Sequence, residues 1–138
     1  MASVRAYTPY TTVAEKLEAM VVLGEANSRT KDYYDLFHLP RALAFSGTTL
    51  VEAIRRTFER RATVIPVMPL EGMTDSFARE PLHAKRWQAF LAKGQLQVAE
   101  PEFPGVVAAI RQFADPAIDA AREGLSLDRH WEPGGPWR

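Results

Sequence analysis

Two neighbouring stretches of this 138-residue chain place charged side chains where a helix should be apolar. In the first, the apolar residues from Val13 to Leu23 gather on one arc when each residue advances by about 100°, and Lys16 falls within that arc. In the second, Asp32 and Asp35 share a helix face with two leucines. Because an unpartnered charge is costly to bury, we expect Lys16 to meet Asp32 or Asp35 where the two helices pack.

Such a contact allows two interpretations. It is either a structural ion pair that fixes the register of two helices, or a functional site, since charged groups in unusual surroundings sometimes mark sites. Arg29 and Lys31 lie in the first turn of the second helix, where cations oppose the helix dipole. They are therefore phosphate contacts, partners of the two aspartates, or solvated surface charge.

Capping residues, prolines and glycines predict an all-α bundle of about five or six helices. The predicted helix starts are a capping box at Thr12, Arg29 or Thr30, a second capping box at Thr49, then Thr74, Pro81 and Phe103. Gly24 can end the first helix, Pro40 interrupts or kinks the second, and Pro116 bends or restarts the last. Residues 4–7 alternate weakly and are the candidate for a short N-terminal strand.

The length and composition fit one domain, which we place at residues 1–124. The remaining residues, 125–138, carry tryptophans, prolines and glycines without periodicity, so we expect an irregular or disordered tail. Nothing reads as a signal peptide, and no apolar run approaches the length of a membrane span. We therefore expect a cytoplasmic protein without a membrane partner.

Seventeen basic residues balance seventeen acidic residues, which argues against binding nucleic acid by overall charge. A local basic feature exists in the third helix, whose arginines are Arg55, Arg56, Arg60 and Arg61. It is either a solvated face or a contact for nucleotide or RNA phosphates. The chain has no cysteine and only three scattered histidines, so we predict no metal-binding cluster of these residues.

Two motifs carry a resemblance to a known family. They are Ala14-Glu15-Lys16 with Leu17 and Ala19, and Asn27-Ser28-Arg29-x-Lys31-Asp32-x-Tyr34-Asp35-Leu36. Packing residues that match further along are Ile54, Phe58, Trp87, Phe90, Val106 and Phe113. With these residues the chain resembles, over about residues 5–120, the C-terminal half of the AbiEii nucleotidyltransferase toxins of type IV toxin–antitoxin and phage abortive-infection systems.

The resemblance implies a role for each charged residue. The helical half of that family contributes a lysine and an aspartate, here Lys16 and Asp32 with Asp35 as second candidate, to a site for a nucleoside triphosphate and Mg²⁺. Arg29 and Lys31 would then contact the substrate. The acceptor would be an RNA such as tRNA, and an antitoxin would be the protein partner.

The chain departs from the family in one respect. Its sequence contains no Asp-x-Asp and no Gly-Ser turn, which hold the metal and the nucleotide in the other half of the family's site. We therefore expect a truncated domain, from a fragment or a split or decayed gene, that is inactive alone and is completed by a complementing nucleotidyltransferase half. The alternative is a non-catalytic helical module that binds an antitoxin or another subunit.

Overall fold

Six α-helices build the part of the chain that the computed structural model describes, which is residues 8–26, 29–96, 98 and 102–138. The helices are α1 (Pro9–Leu23), α2 (Thr30–Ala42), α3 (Gly47–Arg60), α4 (Asp75–Arg79), α5 (Pro81–Gly94) and α6 (Phe103–Glu123). Two short strands, β1 (Phe45–Ser46) and β2 (His130–Trp131), pair antiparallel. The all-α prediction is confirmed. The strand candidate at residues 4–7 lies outside the described residues.

The start of α1 differs from the prediction by about one turn. Thr8 is the N-cap, because its hydroxyl oxygen accepts a hydrogen bond from the Thr11 backbone N–H at 3.2 Å. Pro9 follows at the first helical position, where a missing N–H costs nothing. Thr12, the predicted cap, therefore lies inside the helix, where it lines a cavity beside Lys16.

The start of α3 was also predicted too late. Ser46 is its N-cap, and its hydroxyl oxygen accepts from the Thr49 N–H at 3.4 Å. Ser46 also belongs to β1 and pairs with His130 of β2. The predicted cap Thr49 therefore lies in the first turn of α3. The start of the helix is fixed by the pairing of Ser46 with a residue distant in sequence, His130.

Two prolines lie inside helices and end neither of them. Helix α2 continues through Pro40 to Ala42, and α6 continues through Pro116 to Glu123. Pro40 thus does not interrupt α2 and Pro116 does not restart the last helix, so a kink or a bend is the alternative that stays a prediction for each. A proline removes one N–H donor, and burial of the surrounding helix outweighs that loss here, since Pro40 itself is buried.

The core lies where α6 packs against α2, α3 and α4, while α1 packs mainly on α3. Its fully buried side chains include Leu17, Met20, Ile54, Trp87 and Phe113. Trp87 is a core residue, as expected. Among the described residues, no helix is both long and apolar enough to span a membrane.

The tail after α6 is more ordered than predicted. It contains β2, and Trp131 is only 3% exposed. The Trp131 indole N–H donates to the Pro40 carbonyl at 2.7 Å, and that of Trp137 donates to the Phe113 carbonyl at 2.9 Å. Of the two predicted alternatives, the tail is irregular apart from β2 rather than disordered, because the aromatic side chains anchor a segment that lacks periodicity.

Candidate functional site

The predicted contact between the first two helices exists and involves both aspartates. The ammonium nitrogen of Lys16 on α1 lies 3.0 Å from Asp32 Oδ1 and 3.0 Å from Asp35 Oδ2, both on α2. The side chains are 18% exposed for Lys16, 4% for Asp32 and 19% for Asp35. One lysine therefore bridges two carboxylates in a largely buried cluster, which we call the lysine–aspartate cluster.

Local backbone features place the two helices for this contact. Gly24 ends α1 with a φ of +55°, a backbone conformation that residues other than glycine rarely adopt. Its N–H donates a hydrogen bond to the Met20 carbonyl. On α2, the Tyr33 hydroxyl donates to the Gly72 carbonyl at 2.6 Å. A Cβ on Gly72 would lie 2.9 Å from that hydroxyl, so glycine is required there. Tyr33 thus anchors the first turn of α2, where Asp32 lies.

Two more cations lie at the outer side of the cluster. Arg29 Nε lies 2.9 Å from Asp32 Oδ2, at ion-pair distance but without the alignment of a hydrogen bond. Lys31 Nζ lies 2.8 Å from Asp35 Oδ2. Their side chains are 57% and 72% exposed, respectively. Arg29 and Lys31 are therefore partners of the aspartates, and they also face solvent, where a ligand can reach them.

The contacts hold the cluster in its charged form. Burial lowers the pKa of Lys16, but the hydrogen bonds and charges of Asp32 and Asp35 outweigh burial, so its pKa lies above the ordinary 10.5. Burial raises the pKa of Asp35, but Lys31 and Lys16 outweigh it, so this pKa lies below the ordinary 3.8. At neutral pH Lys16 is cationic and Asp35 is ionised.

The charge balance of the cluster favours an anion. With the two outer cations, Arg29 and Lys31, included, three cations face the two carboxylates of Asp32 and Asp35, an excess of one. An ammonium group carries three N–H donors, and the two aspartates account for two of those on Lys16. Lys16 also lines a cavity of about 190 Å³, together with Arg29 and Arg61. Phosphate oxygens suit such a set of donors.

A second charged contact, between α1 and the end of α3, was not predicted from the sequence. Glu15 Oε2 lies 3.4 Å from Arg60 Nη2 and 3.5 Å from Arg61 Nη2, both at the end of α3. Arg61 Nη1 also lies 3.7 Å from Glu18 Oε1. The signal that could have revealed it was the spacing of three between Glu15 and Glu18, which puts both on one helix face. We call this set the glutamate–arginine rim.

The four arginines of the third helix do not form one basic face. Arg55 donates to the backbone carbonyls of Ala120, Ala121 and Leu125 at the end of α6. Arg56 pairs with Glu52 at 3.1 Å. Only Arg60 and Arg61 point towards α1. The sequence predicted either a solvated face or a phosphate contact for these arginines. Arg55 does not belong to a solvated face, because it stabilises the C-terminal carbonyls of α6.

The described residues do not fit a magnesium site on their own. Mg²⁺ prefers carboxylate oxygens in an octahedral arrangement. The contacting oxygens of Asp32 and Asp35 already lie within 3.0 Å of a lysine or arginine nitrogen. Among residues 8–26, 29–96, 98 and 102–138, no group of three histidine, cysteine, aspartate or glutamate side chains could hold a metal ion. The phosphates of a nucleotide, by contrast, fit Lys16 and Arg29.

The fold and the site define an all-α protein with a buried lysine–aspartate cluster and a cationic outer side suited to phosphate. The family model for the nucleotidyl transferase AbiEii toxin of type IV toxin–antitoxin systems matches residues 1–121, and the chain belongs to this family. The predicted family is thereby confirmed, whereas the correspondence to the C-terminal half of the family stays a prediction. A search of curated proteins and a search of solved structures gave no match.

Proposed function

We propose that the lysine–aspartate cluster forms part of a nucleotide-transfer site that moves a nucleotide from a nucleoside triphosphate to an RNA acceptor such as tRNA. The observation that carries the proposal is Lys16, held 3.0 Å from two carboxylates on a chain that belongs to a nucleotidyltransferase family. Arg29 and Lys31 support the proposal, because with them the site carries one cation more than it has carboxylates and both side chains are exposed to a ligand.

In such a transfer, an RNA hydroxyl oxygen bonds to the α-phosphorus and gives its proton to a carboxylate, the role proposed below for Asp32. The bond from that phosphorus to the oxygen that bridges it to the β-phosphorus breaks, and pyrophosphate leaves. Lys16 directs its remaining donor at a phosphate oxygen, and its charge offsets the negative charge that builds up there. Arg29 adds a planar pair of donors for a second oxygen. Because the two aspartates fix the Lys16 side chain, this donor is in place before the substrate arrives.

Asp32 and Asp35 differ in their access to a substrate. Asp32 Oδ2 is covered by Arg29, whose exposed side chain can turn outward to a phosphate. That movement would uncover Oδ2 to accept a hydrogen bond from the attacking hydroxyl. Asp35 instead bonds the two lysines, Lys16 and Lys31. We therefore assign substrate contact to Asp32 and positioning of Lys16 to Asp35.

The site as proposed needs carboxylates from elsewhere. Magnesium supplies charge neutralisation in phosphoryl transfer, and the cluster oxygens are engaged by cations, as described above. We infer that a further segment or a second polypeptide with an Asp-x-Asp completes the site. We also infer that the 138-residue chain alone is inactive. Because the family consists of toxins from type IV toxin–antitoxin systems, we propose an antitoxin as a further protein partner.

Incorporation of labelled nucleotide tests the proposal. Each α-labelled nucleoside triphosphate is incubated with magnesium, total tRNA and the chain, with or without the product of the adjoining coding frame. We expect label in RNA only when a polypeptide with an Asp-x-Asp is present, and we expect Lys16→Ala to abolish it. The matched control is Lys85→Ala, which removes a lysine from α5, a helix outside the cluster.

Two outcomes would contradict the proposal. Transfer by the Lys16→Ala variant at the rate of the unchanged protein would remove Lys16 from the site. Incorporation by the chain alone that disappears in Lys16→Ala would show that the chain builds a complete site, which would overturn the inference that it needs a complement.

A further inference from the structure

A second cavity continues from the one beside Lys16. The first, of about 190 Å³, is lined by Thr12, Glu15, Lys16, Ala19, Arg29 and Arg61. The second, of about 440 Å³, is lined by Glu18, Ala19, Val22, Leu23, Arg29 and Arg61. Because they share three lining residues, the two cavities form one groove along α1, which we call the α1 groove.

The two ends of the α1 groove differ in chemistry. The end at Lys16 presents an ammonium group and the Thr12 hydroxyl, which suit phosphate oxygens, and its one carboxylate, Glu15, is paired with arginines. The other end has a floor of Ala19, Val22 and Leu23, and Val22 is 65% exposed. Glu18 also lines this end, where its carboxylate accepts a hydrogen bond from the Thr63 hydroxyl at 2.6 Å. An exposed apolar floor beside a cationic pocket suits a molecule with a charged end and a flat, less polar end.

The dimensions of the groove suit a nucleotide. Lys16 and Leu23 are seven residues apart, so their positions differ by about 10 Å along the helix axis and by only about 20° around it. That separation is comparable to the distance between the terminal phosphates and the base of an extended nucleoside triphosphate. Lys16 and Leu23 therefore lie at opposite ends of one ligand-sized groove.

Arg61 can serve both ends of the groove. Its guanidinium lies 3.5 Å from Glu15 and 3.7 Å from Glu18, which is longer than the roughly 2.8 Å of a strong charge-assisted hydrogen bond. Its side chain is 48% exposed. Such loosely paired guanidinium groups can turn onto a phosphate or stack on a base. Cations at the shared middle of the groove also favour an anionic occupant over an apolar protein segment.

We propose that Ala19, Val22 and Leu23 form the base subsite for a nucleoside triphosphate whose phosphates lie at Lys16, with Arg61 between the two ends. The inference rests on the proposed function for the position of the phosphates. It goes beyond that function by assigning the base to the exposed apolar floor of α1 and by giving Arg61 a ligand contact.

Calorimetric titration of the 138-residue chain without metal separates the two ends of the groove. The probes are ATP, CTP, GTP and UTP, each compared with inorganic tripolyphosphate, which has the charge but no base. The test variant is Val22→Asn, and its matched control is Val64→Asn, since Val64 is 84% exposed and lies in the loop after α3. Val22 is exposed, so neither change should affect folding.

We expect at least one nucleoside triphosphate to bind about fivefold more tightly than tripolyphosphate, by the burial of apolar surface. Val22→Asn should remove that preference and leave tripolyphosphate binding unchanged, whereas Val64→Asn should alter neither. Arg61→Met should weaken the binding of both probes.

Equal binding of the two kinds of probe, with no effect of Val22→Asn, would overturn the base subsite while leaving the proposed function intact. If Lys16→Met bound tripolyphosphate as well as the unchanged chain does, the phosphate position and thus the proposed function would fail instead. Absence of binding by every probe would overturn the groove as a nucleotide site.

Discussion

Helix α1 makes one charged contact with α2 and another with α3. The two contacts differ in the sign of the shared central charge, in their distances and in their exposure to solvent. Towards α2, one cation, Lys16, is shared by two carboxylates at 3.0 Å, and the group is largely buried. Towards α3, one carboxylate, Glu15, is shared by two arginines at 3.4 and 3.5 Å. The side chains of those arginines are about half exposed.

The difference separates a fixed group from an adaptable one. Short contacts in a region shielded from water are strong, and breaking them leaves an uncompensated charge. Longer contacts in water contribute little and re-form at low cost. We infer that the lysine–aspartate cluster is the preformed part of the site, whereas the glutamate–arginine rim can rearrange around a ligand. Both lie along one groove, so a ligand can meet both.

Loss of the lysine should have the largest effect on stability. Lys16→Met keeps the length of the side chain but leaves Asp32 and Asp35 without their shared cation, so we expect a loss of about 3 kcal/mol in the free energy of unfolding. The matched control is Lys31→Met, an exposed partner of Asp35, for which about 0.5 kcal/mol is expected. Urea denaturation measures both. Equal losses would mean that the cluster is not distinguished by burial.

A pH titration should show a smaller effect that depends on Asp35. The folded pKa of Asp35 is lowered, so its contribution is present above pH 3.8 and is lost as pH falls through the folded value. The folded pKa of Lys16 is raised, so its contribution is present below pH 10.5 and is lost as pH rises through the folded value. Between these limits the cluster contributes fully.

Asp35→Asn should therefore lower stability by about 1 kcal/mol at pH 7, with the deficit shrinking below about pH 4. Thermal unfolding from pH 2.5 to 8 measures it. Asp75→Asn, which removes an exposed partner of Arg79, serves as the control and should show a much smaller deficit. A deficit for Asp35→Asn that stays constant down to pH 2.5 would show that charge is not its cause.

The rim should show the smallest effect. Arg60→Ala and Arg61→Ala should each lower stability by less than about 1 kcal/mol, and the difference should fall further in high salt because exposed charges are screened. Urea denaturation at two salt concentrations measures this. A loss as large as that of Lys16→Met would show that the rim is as fixed as the cluster, and the comparison between the two would fail.

Sequence reasoning found the cluster because its signal is local. Three charges at apolar helix positions need partners. Because the two helices that carry them follow each other closely along the chain, the helices are expected to pack together. The starts of α4, α5 and α6 were likewise predicted, from Thr74, Pro81 and Phe103.

What sequence reasoning missed depends on contacts between distant residues. Ser46 caps α3 at a position that β2 helps to fix, and Trp131 orders the tail through Pro40, which is 91 residues away. The glutamate–arginine rim joins residues 43 or more positions apart (Glu18 to Arg61), so no periodicity reveals which glutamate meets which arginine.

The most direct test of the central claim compares the two aspartates in nucleotide transfer. In a transfer-competent preparation of the protein with its Asp-x-Asp complement, initial rates of label incorporation into RNA are measured for Asp32→Asn and Asp35→Asn. We predict that Asp32→Asn lowers the rate by about a hundredfold or more, because Asp32 orients the attacking hydroxyl, and that Asp35→Asn lowers it by less than about tenfold. A rate for Asp32→Asn equal to that of the unchanged protein would contradict the account and remove Asp32 from the site.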